Sequence, residues 1–327
     1  MAARGTGSRV MAKIGSRLSS TSSLEDMARG TGNESSSGKG AAARTATRKI
    51  AGMTDRPEGF DPERFYDDYG EKEWLRFGKR PCDRVSLEIH NDLLREFVRP
   101  GDRVLDAGAG PGRFTIELAR LGALVVVGDI SPEQLRLNEE KVVEAGLEPS
   151  VESRGLLDIT DLSQFPDESF DAVVCYGGPL SYVFDHADTA AGELVRVLKP
   201  GGHLLISVMS KLGTYRMGLD EILGAADKVG QEVVDSVFQT GDLPPSLNNG
   251  HGMRMYTFQE LKGVLERTGC NVVAASASNG LTVGAAELDT TDEARWEMLL
   301  RWERTACREP GALDSGTHII AVAQRAS

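Results

Sequence analysis

VLDAGAGPGRFT, residues 104–115, decides the fold of this chain. A short apolar run reaches an acid, Asp106, and three alternating glycines follow at Gly108, Gly110 and Gly112 before an amphipathic pattern begins. This order predicts a buried strand, a tight turn and the start of a helix. Glycine lets the backbone turn sharply and come close to a ligand. The helix N-terminus offers unpaired N–H groups, so the segment predicts a binding site for a polar ligand.

The spacing of the glycines differs from that of a dinucleotide site. A G-x-G-x-x-G turn would place its third glycine at Arg113, whereas here it comes one residue earlier. The pattern D-x-G-x-G-x-G resembles motif I of the class I S-adenosylmethionine-dependent methyltransferases. The resemblance implies that Asp106 interacts, directly or through water, with the amino group of the cofactor's methionine part. It also implies that the three glycines bind the cofactor. The turn alone is equally compatible with other nucleotide-binding Rossmann-like folds.

A second acid follows the next predicted strand. The apolar run 124–128 suits a buried parallel strand, and it ends at Asp129, 21 residues after Gly108. An acid about 20 residues past such a turn is where a ribose hydroxyl pair is held. We therefore expect Asp129 and the adjacent Ile130 to bind the cofactor. The alternative is that Asp129 only caps its loop.

Two helix starts carry the pattern of a capping box. Ser131 as N-cap, Pro132 at the first helical position and Gln134 at the third predict one box, and Thr257 with Glu260 predicts another. The first box begins the helix after Asp129, so it also predicts where that acid's strand ends.

Three further segments match the same family in order. Asp158 falls where the third strand ends, residues 169–176 (SFDAVVCY) resemble the fourth strand up to Tyr176, and residues 197–208 (VLKPGGHLLISV) resemble a helix end, a turn and the fifth strand. In that family, the acid at the end of the third strand, here Asp158, often binds the adenine amino group. The alternative is that Asp158 is an exposed acid in a loop. Tyr176 is expected beside the cofactor's methyl group. The resemblance covers about residues 100–210.

The resemblance implies an α/β fold: a Rossmann-like, seven-stranded, mostly parallel sheet of order 3-2-1-4-5-7-6 with helices on both faces. Its last strand runs antiparallel to the others. Residues 211–255 exceed the short connection that this fold needs after strand 5, so we expect a helical insertion that covers the substrate. The aromatic stretch 65–77 is expected to close over the cofactor, as in related methyltransferases, or else to pack on the edge of the core.

Composition bounds the remaining function classes. The chain has 327 residues and a net charge of −12, and the acidic body argues against nucleic acid as a partner. No apolar run is long enough to cross a membrane. The four cysteines are scattered and the five histidines lack ligand spacing, so we expect no metal site and a reducing, cytoplasmic compartment.

Residues 1–52 differ in kind from the rest. They contain nine Lys/Arg against three Asp/Glu and no aromatic residue, so we expect them to be disordered and residues 53–327 to form the methyltransferase domain. One interpretation is an organelle transit peptide, which is rich in Arg and Ser and poor in acids. The other is an upstream extension with translation starting at Met53, which the internal methionines favour.

The sequence says little about the methyl acceptor, because the sulfonium methyl is already activated and the protein supplies orientation and a dry pocket. Strand 4 ends in CYGGPL rather than the Asn-Pro-Pro-Tyr type used on planar nitrogens. We expect transfer to an oxygen, nitrogen or carbon of a small molecule. The candidate proton acceptors are Tyr182, His186, His251 and Tyr256.

Among these, His251 and Tyr256 are the first choices as catalytic residues because they flank the return of the insertion to the fold; a surface histidine without a role is the alternative. Two other functions stay open. One is an S-adenosylmethionine-binding regulator without catalysis, and the other is a nicotinamide-dependent oxidoreductase.

Overall fold

The computed structural model describes residues 60–77, 80–285 and 288–327. The segment 1–52, for which we predict disorder, lies outside the described residues.

A seven-stranded sheet forms the centre of the molecule. Its strand order, numbered along the chain, is β3-β2-β1-β4-β5-β9-β8, and β9 runs antiparallel to both of its neighbours. Because β8 and β9 are the sixth and seventh strands of this sheet, the predicted order 3-2-1-4-5-7-6 is confirmed. The strands are β1 (Arg103–Ala107), β2 (Leu124–Asp129), β3 (Val151–Leu156), β4 (Phe170–Cys175), β5 (Leu198–Met209), the short pair β6 (Asp242–Leu243) and β7 (Met253–Arg254), β8 (Cys270–Ala277) and β9 (His318–Arg325).

Helices cover both faces of the sheet, as predicted. Leu194 and Leu261 pack on one face, whereas Leu93, Leu118 and Leu300 pack on the other. The helices are α1 (Pro62–Tyr69), α2 (Lys72–Arg76), α3 (Pro81–Phe97), α4 (Arg113–Arg120), α5 (Pro132–Glu144), α6 (Ala187–Arg196), α7 (Lys211–Val229), α8 (Gln231–Thr240), α9 (Phe258–Arg267) and α10 (Glu293–Ala306). In the described part of the chain, no helix has both the length and the apolar composition needed to span a membrane.

The central strands are buried along most of their length. β1, β2 and β4 are apolar and inaccessible on both sides, because helices cover each face of a parallel sheet. The edge strand β3 is largely exposed and correspondingly polar. The turn that we predict at 200–202 lies inside β5, where the register against β4 shifts: Phe170 pairs with Leu198, but Ala172 pairs with His203.

One of the two predicted capping boxes forms completely. Thr257 and Glu260 bond each other's backbone N–H as expected. At α5 only half of the box forms: the Ser131 hydroxyl accepts from the Gln134 N–H, but the Ser131 N–H donates to Asp129. The Gln134 side chain instead donates to the carbonyls of residues 66 and 70, because the segment before α3 lies against the start of α5.

That segment, residues 60–77, is here called the N-terminal arm. The carboxylate of Asp67 accepts from the Ser131 hydroxyl and from the N–H of Glu133. Farther along, the guanidinium of Arg113 lies 3.7 Å from the centre of the Trp74 ring and donates to the Trp74 carbonyl. The arm is therefore held across the N-termini of α4 and α5, at the carboxyl edge of the sheet.

Residues 211–255 form α7, α8 and the β6–β7 hairpin, in agreement with the predicted helical insertion. The chain returns to the sheet where the N–H of Tyr256 donates to the carbonyl of Met209, at the end of β5. The insertion shares a third apolar cluster with the N-terminal arm and the loop after β4. Its buried members are Phe60, Tyr182, Phe184, Met209, Val237, Met253 and Met255.

Candidate cofactor and acceptor site

A cavity of about 860 Å³ opens at the carboxyl ends of β1, β2 and β4. We call it the main cavity. This edge is where open α/β sheets bind their ligands. Its walls come from the turn after β1, the ends of β2 and β4, the loop after β3 and the N-terminal arm. The predicted cofactor residues that line it are Gly108, Gly110, Asp129, Ile130, Asp158 and Tyr176.

The glycine turn, residues 108–112, depends on its residue type. Gly108 has φ +77°, and a Cβ atom there would lie 2.3 Å from Cγ of Pro179 in the loop after β4. Gly110 has φ +53°, and no atom lies within 4 Å of where its Cβ would be. Gly112, the N-cap of α4, packs against Asn138 and does not line the main cavity. The turn thus presents bare backbone to the cavity.

Asp129 joins the ends of β1 and β2. One carboxylate oxygen accepts from the Gly110 N–H at 2.8 Å and the other from the Ser131 N–H at 2.9 Å. Burial raises the pKa of this carboxyl to about 6, although the two N–H donors partly offset the shift. Because each oxygen can accept a second hydrogen bond, the carboxylate can also accept hydrogen bonds from the two hydroxyls of a ribose.

Asp106 lies behind the turn rather than on the cavity wall. It is 1% exposed, and its carboxylate accepts from the Thr115 hydroxyl at 2.6 Å. Burial raises its pKa to about 7, and the nearby charge of Asp129 adds to the shift. In this structure, contact between Asp106 and a ligand in the main cavity would require a bridging group such as water.

Asp158 lies in the loop after β3, where its carboxylate accepts from the N–H and hydroxyl of Thr160. Three apolar side chains flank this corner of the main cavity: Ile130, Leu157 and Ile159. An apolar slot with one acid at its edge suits a planar, weakly polar base with an amino group. The corner therefore fits adenine, and Asp129 beside it fits the attached ribose.

The N-terminal arm brings an ion pair into the same cavity. Arg76 and Glu73 lie 2.6 Å apart with side chains 20% and 15% exposed, and both line the main cavity. Arg113 also lines it, and its buried Nε has no partner among the described residues. The rings of Tyr66 and Tyr182, whose centroids lie 5.7 Å apart, also line it. Cations and aromatic rings thus face the glycine turn.

A second space of about 380 Å³, here called the side chamber, adjoins the main cavity. The residues that it shares with the main cavity are Tyr66, Glu73, Arg76, Gly177 and Tyr182. The residues that line only the side chamber are Phe65, Tyr69, Met209, His251 and His318. A ligand in this chamber would lie next to the end of β4.

His251 is one wall of the side chamber. Its ring stacks on Phe65 with centroids 4.4 Å apart, and it lies 5.2 Å from the ring of Tyr182. Burial and the charge of Arg76 lower its pKa to about 3, so the imidazole is neutral at physiological pH. Its Nε2 is buried with no partner among the described residues.

Tyr256, the other predicted catalytic residue, lies elsewhere. It is 4% exposed, belongs to the core cluster on one face of the sheet, and lines neither cavity. His186 likewise lines neither cavity, whereas Tyr182 lines both. The structure thus brings Tyr182 and His251 together and leaves Tyr256 and His186 apart from them.

The geometry defines a Rossmann-like α/β domain with a cavity at the carboxyl edge of its sheet that suits an adenosine-type ligand, and with a second, aromatic chamber beside it. Within the described ranges, no group of three or more His, Cys, Asp or Glu side chains is arranged to hold a metal ion.

Comparison with known proteins gives matches over part of the chain. A family model described as "Methyltransferase domain" matches residues 105–206. The ubiquinone/menaquinone biosynthesis C-methyltransferase UbiE of Teredinibacter turnerae is 41% identical over 138 residues, which are 39% of this chain and 53% of that protein. UbiE of Pseudomonas paraeruginosa is 38% identical over 138 residues, 39% of this chain and 52% of that protein.

Among solved structures, magnesium protoporphyrin IX methyltransferase from Synechocystis, with bound S-adenosylhomocysteine, is similar with a TM-score of 0.51. The match is 16% identical and covers 81% of this chain and 98% of that one. At this identity the likeness shows the fold alone. The chain spans about half the length of the curated relatives that it matches.

Residues 105–206 thus match a methyltransferase domain, and the fold around them is that of a methyltransferase solved with S-adenosylhomocysteine.

Several residues at the site were not singled out from the sequence as ligand-binding candidates. They are Glu73, Arg76 and His318, together with Arg113, which departs from the dinucleotide pattern. The sequence gives no signal for Glu73 and Arg76, because a charged pair three residues apart is ordinary on a solvated helix face. It gives none for His318, which stands alone in an apolar strand pattern.

Proposed function

We propose that this protein is an enzyme that transfers the methyl group of S-adenosylmethionine to a small molecule. The observation that carries the proposal is the Asp129 carboxylate, which links the glycine turn to the end of β2 on the wall of a single large cavity. That cavity shares five lining residues with a second chamber at the end of β4, so ligands in the two spaces would be neighbours.

The residues present fit the cofactor in three parts. Asp158 with Ile130 would hold the adenine, Asp129 would accept from the ribose hydroxyls, and the glycine turn would receive the methionine part. Asp106 would act on the cofactor's amino group through water. The unpaired Nε of Arg113 is a suitable donor for the cofactor's carboxylate. When bound, the cofactor supplies an activated methyl group.

The acceptor would occupy the side chamber. Gly177 and Gly178, which follow Tyr176, have positive φ and no side chains, so acceptor and methyl group can approach closely. The N-terminal arm and residues 211–256 enclose this region and would exclude water from it. The acceptor class is a small molecule whose oxygen, nitrogen or carbon is methylated.

Where the acceptor loses a proton on methylation, His251 is the proposed base. Its ring lies on the chamber wall, and burial keeps it neutral at physiological pH. Because a pKa of about 3 makes the imidazole a weak base, this role requires that the bound acceptor raise the pKa of His251. The sequence also predicts Tyr256 as a catalytic residue. It is less suited, since burial raises its pKa and it lines neither cavity.

Calorimetry with S-adenosylhomocysteine and with NAD, side by side, tests the cofactor assignment. We expect S-adenosylhomocysteine to bind and NAD not to bind. Asp129→Ala should weaken the binding of S-adenosylhomocysteine by about 1–3 kcal/mol, because it leaves hydrogen-bond donors unpaired. Asp167→Ala, at an exposed aspartate, is the matched control. A screen of small molecules for release of S-adenosylhomocysteine then tests catalysis. Binding of NAD alone would refute the proposal; cofactor binding without turnover of any acceptor would favour a regulatory protein.

A further inference from the structure

The helical insertion contains a further space of about 650 Å³, here called the insertion pocket. It lies between α7, α8 and the β6–β7 hairpin, and it shares no lining residue with the main cavity or the side chamber. Its volume falls within the range of about 300–1,000 Å³ that is usual for small-molecule sites. The pocket is therefore large enough to hold a ligand of its own.

One face of α7 forms the long wall of this pocket. The lining residues recur at helical spacing from Thr214 to Ala225, so they follow the helix axis for about 16 Å. The facing wall comes from α8 and from the hairpin with its flanking residues, and it is apolar throughout. Its members are Val234, Val237, Leu243, Leu247 and Met255. A long apolar space of this kind suits an extended aliphatic chain.

The packing between α7 and α8 leaves this space open. Gly218, which lines the pocket, interrupts the helical backbone of α7 with φ −120° and ψ +25°, and it has no side chain to fill the space. On α8, Val237 is buried, whereas Phe238 next to it is 42% exposed. Apolar walls that face an unfilled space lack the close contacts of a packed interior. A ligand that fills the pocket would supply those contacts.

A buried hydroxyl lies at the end of the pocket nearest the sheet. Thr214 lines the pocket and is 6% exposed, and its Oγ1 has no hydrogen-bond partner among the described residues. The start of α7 is held in place, because the Thr214 N–H donates to the Ser210 carbonyl and Gly213 lies directly against the backbone of Gly316. An unpaired buried hydroxyl costs free energy. A polar atom of a ligand would give this hydroxyl its partner.

The charges around the pocket disfavour an ionised ligand. Among the described residues that line it, Glu221 is the one with a charged side chain, and it would repel a carboxylate. An ammonium group beside Thr214 would lose its water, while Glu221 lies about 10 Å farther along α7. A neutral hydroxyl can both donate to the Thr214 hydroxyl and accept from it. The polar end of the ligand is therefore expected to be neutral.

We propose that the insertion pocket binds an unbranched aliphatic alcohol, whose hydroxyl pairs with Thr214 and whose chain lies along α7 toward Ala225. The site is separate from that of methyl transfer, so the inference does not rest on the proposed function. Val237 and Met255 line the pocket and share an apolar cluster with Met209, which lines the side chamber. A bound alcohol would therefore also stabilise the packing behind the side chamber.

Calorimetric titration of the full-length protein with 1-hexanol, 1-octanol and 1-decanol tests this inference. The affinity should rise by about tenfold for each two methylenes added, because each buried methylene contributes a similar free energy. Decanoate and decylammonium, which have a charged end on a chain of the same length, should each bind at least tenfold more weakly than 1-decanol. An affinity that does not rise from 1-hexanol to 1-decanol, or an ion that binds as tightly as 1-decanol, would overturn the inference.

Four variants locate the bound alcohol. Ala225→Trp and Val237→Phe fill the pocket from opposite walls, so each should weaken the binding of 1-decanol by at least tenfold. Thr214→Val keeps the shape of the side chain without its hydroxyl and should weaken 1-decanol by about three- to tenfold. Leu223→Gln is the matched control, because Leu223 is 60% exposed on α7 and does not line the pocket.

The melting temperature of each variant without ligand shows whether it has folded, and 1-decanol should raise that of the wild type. Unchanged binding of 1-decanol in Thr214→Val would contradict the pairing with the hydroxyl. Unchanged binding in the two variants that fill the pocket, with a loss in Leu223→Gln, would place the alcohol on the exposed surface of α7 and overturn the inference.

Discussion

The main cavity and the side chamber lie side by side but are assembled in different ways. Most of the main cavity comes from strand ends and turns between residues 108 and 183, each of which follows directly from its own strand. The side chamber draws on segments as far apart as Phe65 and His318. The first depends on backbone geometry that a short motif encodes, and the second on side chains that meet only when the whole chain has folded.

The largest effect is expected from a residue of the side chamber. If His251 accepts a proton from the acceptor, His251→Ala should lower turnover by about 10²-fold or more, because a positioned base contributes that much. The affinity for S-adenosylhomocysteine should change less than twofold, since His251 does not line the main cavity. Steady-state kinetics with an acceptor from the screen, together with calorimetry, measures both.

His186→Ala is the control for this variant, because His186 also has an unpaired Nε2 but lines neither cavity. Because the pKa of His251 is about 3, its protonation should cause no inflection near pH 6.5 in the rate of the wild-type enzyme. The pH profiles of the wild type and of His251→Ala should therefore have the same shape in that region. Normal turnover in His251→Ala would mean that its place in the aromatic stack is only structural.

The next largest effect is expected on the free energy of unfolding when alanine replaces either of two glycines in the glycine turn. Gly108→Ala forces a Cβ to within 2.3 Å of the Pro179 ring at φ +77°, so we expect a loss of about 2–5 kcal/mol in the free energy of unfolding. Gly110→Ala adds a Cβ in open space at φ +53° and should cost about 1 kcal/mol. Urea denaturation of both variants measures the difference. Equal losses would show that the contact with Pro179 is not what requires glycine.

The contrast between the two cavities also explains how far the sequence could predict the site. Strand order, the glycine turn and the position of Asp129 follow from local patterns, and the structure has them where the sequence predicts them. Whether Asp106 or Tyr256 faces a ligand depends on packing between elements, and neither lines a cavity.

His318 could not be predicted for a similar reason. It begins an ordinary buried strand, and only the pairing of β9 with β5, which sets His318 opposite Met209, brings it to the chamber. The N-terminal arm is an intermediate case. Its aromatic residues predict a segment that covers the cofactor. Its attachment, however, uses the side chain of Gln134, which the sequence predicts to bond the Ser131 N–H in a capping box.

A smaller effect is expected from pH, and it tests the main cavity. The pKa of Asp129 is about 6 in the folded protein, and a ribose hydroxyl donates best to the ionised carboxylate. Affinity for S-adenosylhomocysteine should therefore rise between pH 5 and pH 7, by roughly tenfold per pH unit below the midpoint. In Asp129→Asn this step should disappear, and any dependence left near pH 7 would belong to Asp106.

The same shift has a consequence for stability. Because the pKa of Asp129 is higher in the folded than in the unfolded protein, its contribution to the free energy of unfolding is fully present below about pH 4. That contribution is lost as the pH rises through about 6. The ligand-free wild type should thus lose more stability between pH 4 and pH 7 than Asp129→Asn does. Urea denaturation across this range checks the sign, and a steeper loss in the variant would contradict it.

The smallest effect is expected from removing residues 1–52. A protein that begins at Met53 retains the whole N-terminal arm from Phe60 onward, including every arm residue that lines a cavity. Residues 1–52 have too few apolar side chains to bury a core of their own. We therefore expect the melting temperature and the affinity for S-adenosylhomocysteine to be unchanged. A fall of several degrees would show that the segment packs on the domain, and mass spectrometry of the native N-terminus would distinguish a start at Met53 from a cleaved transit peptide.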